Sequence, residues 1–226
     1  MENTNISILL PCLNEEEGLG KSIDKIKAIS KLNNLNTEII VIDNGSTDRS
    51  PQIAKSKNVT LIQEPKKGYG NAYLTGIKNS NNGIIIMADP DGSYDFNEIP
   101  SFLDNLKEND LVLGNRFNSK MERGAMPFLH KYLGNPGIRL LLRLNGLRTK
   151  EVCTGFIATR KSTLEEMKLK ETGMEFSSEL LVKAKNLKIK EIDITYRNRE
   201  GKSKLRPLKD GLRHLKYLIG LRKEVY

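Results

Sequence analysis

Through the first half of the chain, short apolar runs alternate with stretches whose apolar positions recur every three or four residues. Ile6-Ser7-Ile8-Leu9-Leu10 reads as a buried strand, and residues 15–29 as a helix with Leu19, Ile23, Ile26 and Ile29 on one face. Residues 38–43 predict a second strand, followed by a helix to residue 57 capped by Ser46 or Thr47. Residues 59–63 predict a third strand, and 69–79 a helix entered through Gly68 and Gly70. A fourth strand at 83–88, a helix at 97–107 and a fifth strand at 110–114 complete the series. Strands separated by helices of this length imply βαβ units, an α/β class and a mostly parallel central sheet flanked by helices.

The second half is less regular. Gly134-Asn135-Pro136-Gly137 reads as a breaker before a helical run at 138–144. Residues 156–159 predict a strand, 177–185 a helix and 189–195 a strand. In the closing segment, Leu208, Leu212, Leu215, Leu218 and Ile219 fall on one helical face, with basic residues opposite. The expected organisation is one domain over residues 1–206, with a basic amphipathic helix over 207–226.

Composition narrows the class. A chain of 226 residues, 38% hydrophobic and 29% charged, has the make-up of an ordinary folded protein. Its longest apolar runs are too short to span a bilayer. No secretory signal pattern is visible, and Cys12 and Cys153 fit no zinc or redox spacing, so a reducing cytoplasm is expected. The net charge of +9 implies an anionic partner, and the basic excess is concentrated in residues 197–223. A nucleic-acid partner would suit the charge, but that stretch has few interleaved aromatics and no recognised module.

Ligands of open parallel sheets bind beyond the carboxyl ends of the strands. Three polar clusters fall at such ends: Pro11-Cys12-Leu13-Asn14-Glu15, Asp43-Asn44-Gly45-Ser46-Thr47-Asp48 and Asp89-Pro90-Asp91-Gly92-Ser93. Asp89 and Asp91, one residue apart in a turn, can offer oxygens to a hard cation such as Mg²⁺ or Mn²⁺ whose shell a diphosphate completes. Taken alone, Asp-Pro-Asp-Gly is equally an ordinary surface turn. Asp43 could accept hydrogen bonds from a base or ribose, or cap the following helix. Lys67-Gly68-Tyr69-Gly70-Asn71 resembles a glycine-rich turn able to approach phosphates, although neither a P-loop nor a dinucleotide fingerprint is present. A nucleophilic triad has no signature here, and the Gly-x-Gly-x-Arg segment of sugar-nucleotide pyrophosphorylases is missing near the N-terminus.

Together these segments resemble family 2 glycosyltransferases of the GT-A (Rossmann-like) fold, within them the dolichyl- and polyprenyl-phosphate sugar synthases. The resemblance runs from about Ile6 to the closing helix. It is carried by the three clusters above, Lys67-Gly68-Tyr69-Gly70-Asn71-Ala72 and Gly114-Asn115-Arg116. Further on it rests on Gly124-Ala125-Met126-Pro127 with His130, Leu133-Gly134-Asn135-Pro136 and Gly173-Met174-Glu175-Phe176 with Glu179. It ends in Arg199-Glu200-Gly201-Lys202-Ser203-Lys204-Leu205. Two positions depart from the pattern: Glu151 replaces the usual Asp, and Ile157 the usual Arg.

The resemblance implies an inverting, divalent-metal-dependent hexosyl transfer from a nucleotide-diphosphate sugar, UDP-glucose or GDP-mannose, to a polyprenyl or dolichyl phosphate. The expected setting is the cytoplasmic face of the membrane, with peripheral contact and no nucleic acid; a glycan or glycolipid acceptor is the alternative. It also implies roles for residues. Asp91, with Asp89 and Ser93, would hold the metal. Pro11, Asn14, Glu15, Asp43, Asn44, Gly45, Lys67, Gly70 and Asp89 would hold the donor. Arg116, Arg199, Ser203 and Lys204 would meet the acceptor phosphate or the developing diphosphate charge, with Asp91, Arg116 and Lys204 closest to catalysis.

Overall fold

The computed structural model describes residues 4–118, 120–204 and 207–223, with side chains in the last helix described for 209–220. Leu205 and Arg206, and the side chains of Leu208, Arg222 and Lys223, lie outside the described residues.

The elements in order are β1 (Thr4–Cys12), α1 (Leu19–Leu32), β2 (Leu35–Asp43), α2 (Ser50–Ser56), β3 (Thr60–Gln63), α3 (Tyr69–Asn79) and β4 (Ile84–Met87). Then come α4 (Ile99–Leu106), β5 (Leu111–Asn115), α5 (Asn135–Leu144), β6 (Ile157–Arg160), α6 (Lys161–Met167), α7 (Phe176–Lys183), β7 (Ile189–Asp193) and α8 (Pro207–Lys223). The seven strands form one sheet in the order β3-β2-β1-β4-β6-β5-β7. Within it β1, β2, β3 and β4 are parallel neighbours, and only β6 runs against the strands beside it. This is the expected α/β architecture with its mostly parallel sheet. No helix among the described residues is long and apolar enough to cross a membrane.

Both faces of the sheet are covered, which is why its strands read as unbroken apolar runs. Ile6, Ile8 and Leu10 point into a core shared with α1, α2 and α4, whereas Leu9, Ile85 and Met87 point into a second core shared with α3, α5, α6 and α7. In α1, Leu19, Ile23, Ile26 and Ile29 are all buried, as their spacing predicts. Each such side chain contributes at most about 1.5–3 kcal/mol of hydrophobic stabilisation.

Several boundaries differ from the sequence reading. The second helix starts at Ser50 rather than at Ser46 or Thr47. The amides of Thr47 and Asp48 are taken by the Asn14 side chain, and Asp48 accepts from the Ser50 amide, so the turn is held open. A helix at Lys161–Met167 escapes the pattern because Leu164 and Met167 are its only buried residues. Gly134-Asn135-Pro136-Gly137 does not break the chain. A π-turn over His130–Gly134, in which the Asn135 amide reaches back to the His130 carbonyl, runs directly into α5. Pro136 lies in the first turn of α5, where its missing N–H costs nothing, and the wide preceding turn leaves room for its ring.

Candidate functional site

The carboxyl ends of β1, β2 and β4 form one rim. Cys12 and Asp43 are register partners, and the Ala88 amide donates to the Leu9 carbonyl, so the loop carrying Asp89 and Asp91 leaves beside that pair. Side chains from one loop hold the next. Asn14, at φ +55°, accepts from Thr47 and Asp48, while its amide donates to the Ser46 hydroxyl. The Glu15 amide donates to the Ser50 hydroxyl at 2.9 Å. Asn44 donates to the carbonyls of Glu64 and Lys66 and accepts from the Gly68 amide at 2.7 Å. Asp43 accepts from the Ser46 amide at 3.2 Å. Pro11 is the penultimate residue of β1, Gly45 turns at φ +88°, and exposed Lys67 runs alongside it.

The glycines at 68 and 70 face a backbone. A Cβ on either would come within 2.1 Å of the carbonyl oxygen of Thr172 or Glu171, and the Asn71 amide donates to Thr172. That 171–172 loop is itself held by Glu179, whose carboxylate accepts from the amides of Lys170 and Glu171.

Three acids meet at the rim: Glu15, Asp89 and Asp91. Asp91 is buried, and one of its oxygens accepts from the Ser93 amide at 3.0 Å and the Ser93 hydroxyl at 2.6 Å. Its other oxygen lies 3.4 Å from an Arg199 nitrogen. Asp89 is half-buried, accepts from the Tyr69 hydroxyl at 3.3 Å, and presses so closely on Gly155 that a Cβ there would sit 2.4 Å from its oxygen. Burial, reinforced by the negative charges of Asp91 and Glu15, raises the Asp89 carboxyl to about 7, against the opposing pull of Arg116. The Glu15 carboxyl is raised as well, by burial foremost, although Lys204 and Arg199 oppose the shift.

A basic segment lies across these acids. Arg199 grips both Glu15 oxygens at 3.0 and 3.1 Å, and the Lys204 nitrogen is 2.8 Å from the first of them. Backbone bonds fix the segment to the acidic loop: the Glu200 amide donates to the Asp91 carbonyl at 2.7 Å, and the Arg197 amide to the Ser93 carbonyl at 2.9 Å. Ser203 is exposed beside them. The structure therefore brings Glu15, Asp89, Asp91, Ser93, Arg199 and Lys204 together. Asn14 and Asn44 act on the loops that frame them.

Arg116 has a different setting. It is buried, and its Nε and Nη2 donate to the two oxygens of Glu151 at 3.0 and 2.8 Å. Its guanidinium also lies 5.2 Å from the centre of the Tyr196 ring. Burial alone would raise Glu151, but Arg116 and several backbone amides outweigh it and hold the carboxyl below its ordinary range. Ile157 is buried in the second core beside Glu151's loop. Sequence reasoning assigned no task to Tyr69, Tyr196 or Gly155. Tyr69 lies inside the Lys-Gly-Tyr-Gly segment and Gly155 beside the departures, so position could have flagged both; Tyr196 carried no local signal.

Among the described residues, no three Asp, Glu, His or Cys side chains converge to make an all-protein metal site. The donors present, the oxygens of Asp91, Asp89 and Ser93, suit a hard cation that takes the rest of its shell from a diphosphate and water.

The sequence profile of Glycosyl transferase family 2 matches residues 7–168. The low-salt glycan biosynthesis hexosyltransferase Agl6 of Haloferax volcanii is 36% identical over 219 residues, spanning 95% of this chain. This chain covers 53% of that relative, about half its length. The dolichyl-phosphate hexose transferase of the same organism is 29% identical, over 92% of this chain and 89% of its own. Glucosyl-3-phosphoglycerate synthase from Mycobacterium tuberculosis, solved with Mn²⁺, UDP and glucosyl-3-phosphoglycerate, superposes with a TM-score of 0.73 at 20% identity, over 97% of this chain and 80% of that one. The chain belongs to glycosyl transferase family 2.

Proposed function

We propose that this family 2 chain moves a hexose from a nucleotide-diphosphate sugar, UDP-glucose or GDP-mannose, to a polyprenyl or dolichyl phosphate at the cytoplasmic face of the membrane. The observation that carries this reading is the acidic trio with its basic clamp. Carboxylates able to hold a cation sit within hydrogen-bonding distance of Arg199 and Lys204, which can face phosphate oxygens. A dolichyl-phosphate hexose transferase among the relatives, and UDP with Mn²⁺ in a structural neighbour, support the same choice of substrates.

The reaction is a direct displacement with inversion. An oxygen of the lipid phosphate bonds to the anomeric carbon as the bond from that carbon to the nucleotide diphosphate breaks. The phosphate is already anionic near neutral pH, so no strong general base is needed. The demand falls on the leaving diphosphate, whose charge a divalent cation, Mg²⁺ or Mn²⁺, offsets when bound. Asp91 would hold that cation with Asp89 and Ser93. Asp43, with the Asn14, Asn44 and Gly45 turns, frames the nucleoside. Glu15 aims Arg199 and Lys204 at the phosphates, and Arg116, fixed by Glu151, flanks the acceptor side.

The test is a donor panel with Mg²⁺ or Mn²⁺ and a polyprenyl phosphate, scored by sugar transferred into the organic phase. Transfer from one donor, abolished by Asp91→Ala and by EDTA, is expected. Full activity after EDTA treatment, or no transfer from any donor while nucleotide binding persists, refutes it. Transfer to a glycan and not to the lipid moves the acceptor to the alternative class.

A further inference from the structure

We propose that the helix over residues 128–144 is a bilayer-docking surface, which seats the protein on anionic lipid with its apolar face in the interfacial zone. The sequence pattern marks only the C-terminal helix as basic and amphipathic. The structure directs attention to this internal one.

Phe128, Leu129, Tyr132, Leu133, Leu140 and Leu144 all lie exposed on it, Phe128 at 70% and Leu133 at 65%. Of the large apolar side chains exposed among the described residues, all but Leu32 belong to this helix or to α8, where they are Leu212, Leu215 and Ile219. Concentration on one pair of elements separates this from the scattered apolar exposure of ordinary surfaces. The two helices pack side by side, with Leu142 and Leu218 buried in the same core and Asn145 donating to the Leu218 carbonyl at 3.5 Å. Their remaining apolar faces have no cover among the described residues.

The π-turn makes the internal face continuous. In a regular helix, Leu140 would be rotated about 120° from Phe128; the extra residue accommodated by the π-turn removes roughly 100° of that. Leu140 and Leu144 thus come into line with Phe128 and Tyr132, while Asn135 and Leu142 turn to the buried side.

The charge around the face decides the occupant. Residues 127–150 contain no Asp or Glu and carry Lys131, Arg139, Arg143, Arg148 and Lys150. Lys131 lies over the Tyr132 ring and Arg139 over the Phe117 ring, so long basic side chains rim the apolar stripe with aromatic partners. Within 127–150 the apolar stripe is edged by cations alone, Asp210 of α8 being an acid that acts on His130. This excess of cations matches an anionic lipid surface, where the stripe enters the acyl boundary and the cations stay at the headgroups. A second copy of the same positive surface would instead repel. The face also borders the site: Phe117 follows Arg116 directly, and burial together with the charge of Arg116 lowers the His130 imidazole. Exposure, helix geometry and charge mark this surface independently of the proposed reaction, whose lipid-linked acceptor would give it a purpose.

Flotation of the whole chain with vesicles of phosphatidylcholine, alone or mixed with phosphatidylglycerol, tests it. The unaltered protein should float with the anionic vesicles, and less at high salt. Phe128→Ser/Leu133→Ser/Leu140→Ser should lower partitioning at least tenfold with an unchanged melting curve; Leu133→Ser alone gives a smaller loss should the triple variant melt early. Lysine and arginine changes Lys131→Gln/Arg143→Gln should weaken binding to anionic vesicles only. Equal flotation by the triple variant, or no flotation of the unaltered protein, overturns the proposal. So does an unaltered dimer in size-exclusion chromatography that the triple variant converts to monomer, which assigns the face to a second copy. Donor transfer to a detergent-dispersed acceptor is measured in parallel. Its failure with normal flotation refutes the reaction and leaves the surface, and the converse holds as well.

Discussion

Replacing Glu151 with Gln should cost this protein about 3–5 kcal/mol of stability, the amount associated with breaking a buried ion pair from one side. The carboxylate is fully buried and accepts five hydrogen bonds. One oxygen takes Arg116 Nη2 and the amides of Val152 and Cys153; the other takes the Arg116 amide and Nε. A glutamine amide placed either way turns an NH₂ toward at least two of these donors, each orphaned at about 1–3 kcal/mol, and it removes the counter-charge of a buried guanidinium. These terms overlap, so their sum is not the expected loss. At about 2–4 °C per kcal/mol for a chain of this size, the melting point should fall on the order of 10 °C. Because Glu151 is held below its ordinary range, its contribution is complete above the unfolded carboxylate range and is lost as pH falls through the lowered value. The gap between variant and parent should therefore be full at pH 7 and narrow in acid. Urea denaturation of Glu151→Gln, Arg116→Met and the double variant closes a mutant cycle. The double variant should recover much of the loss, since no charge is then buried alone. A single-variant cost below about 1 kcal/mol, or strictly additive effects, would refute the reading of a coupled buried pair.

Three further outcomes follow from the rim. Asp89, raised to about 7 by burial and by its acidic neighbours, must ionise before it can bind a cation, so Mn²⁺ affinity measured by titration calorimetry should fall as pH drops below 7, by up to tenfold per unit; a flat profile from pH 5.5 to 8 contradicts it. Glu15→Gln removes the acceptor gripped by Arg199 and approached by Lys204, and should cut transfer by about 10²-fold with little change in melting point, by analogy with loss of one preorganised electrostatic contact; unchanged kcat/KM would remove Glu15 from the site. Asn44→Ala leaves the Gly68 amide and the carbonyls of Glu64 and Lys66 without their partner, and should destabilise the β3–α3 loop by about 1–3 kcal/mol and raise the donor KM; normal donor binding by the variant contradicts this.

How much of this was legible depends on the range over which each feature is encoded. Buried parallel strands are local apolar runs, so β1 to β5 could be read to within a few residues, and the acids at their carboxyl ends followed from topology alone. The π-turn could not be read. Gly-Asn-Pro-Gly carries the composition of a break, and only the wide turn ahead of Pro136 makes it helical. The antiparallel strand β6 inserts between β4 and β5 from later in the chain, and nothing in Ile157–Arg160 specifies its neighbours. Pairings across long separations were equally hidden. Glu151 reads as a departure from a pattern until Arg116 is seen to fill both its oxygens, and Arg199 reads as one cation among many until it lands on Glu15.

That last contact gives part of the late basic excess a task. Burial foremost, with the charges of neighbouring acids added, raises the carboxyls of Asp89 and Glu15, and at Glu15 opposing positive charge holds the shift down. Arg199 and Lys204 supply that charge. The Glu200–Asp91 and Arg197–Ser93 backbone bonds, with the Arg199–Asp91 approach, tie the basic segment to the acidic loop. Lys131, Arg143, Arg148 and Lys150 differ from these: they lie in a stretch, residues 127–150, that contains no Asp or Glu, on or just after the helix over residues 128–144. Arg199 and Lys204 are thus engaged by the acids of the site, whereas this group has no acid within its own stretch and is the part that the proposed lipid contact would use.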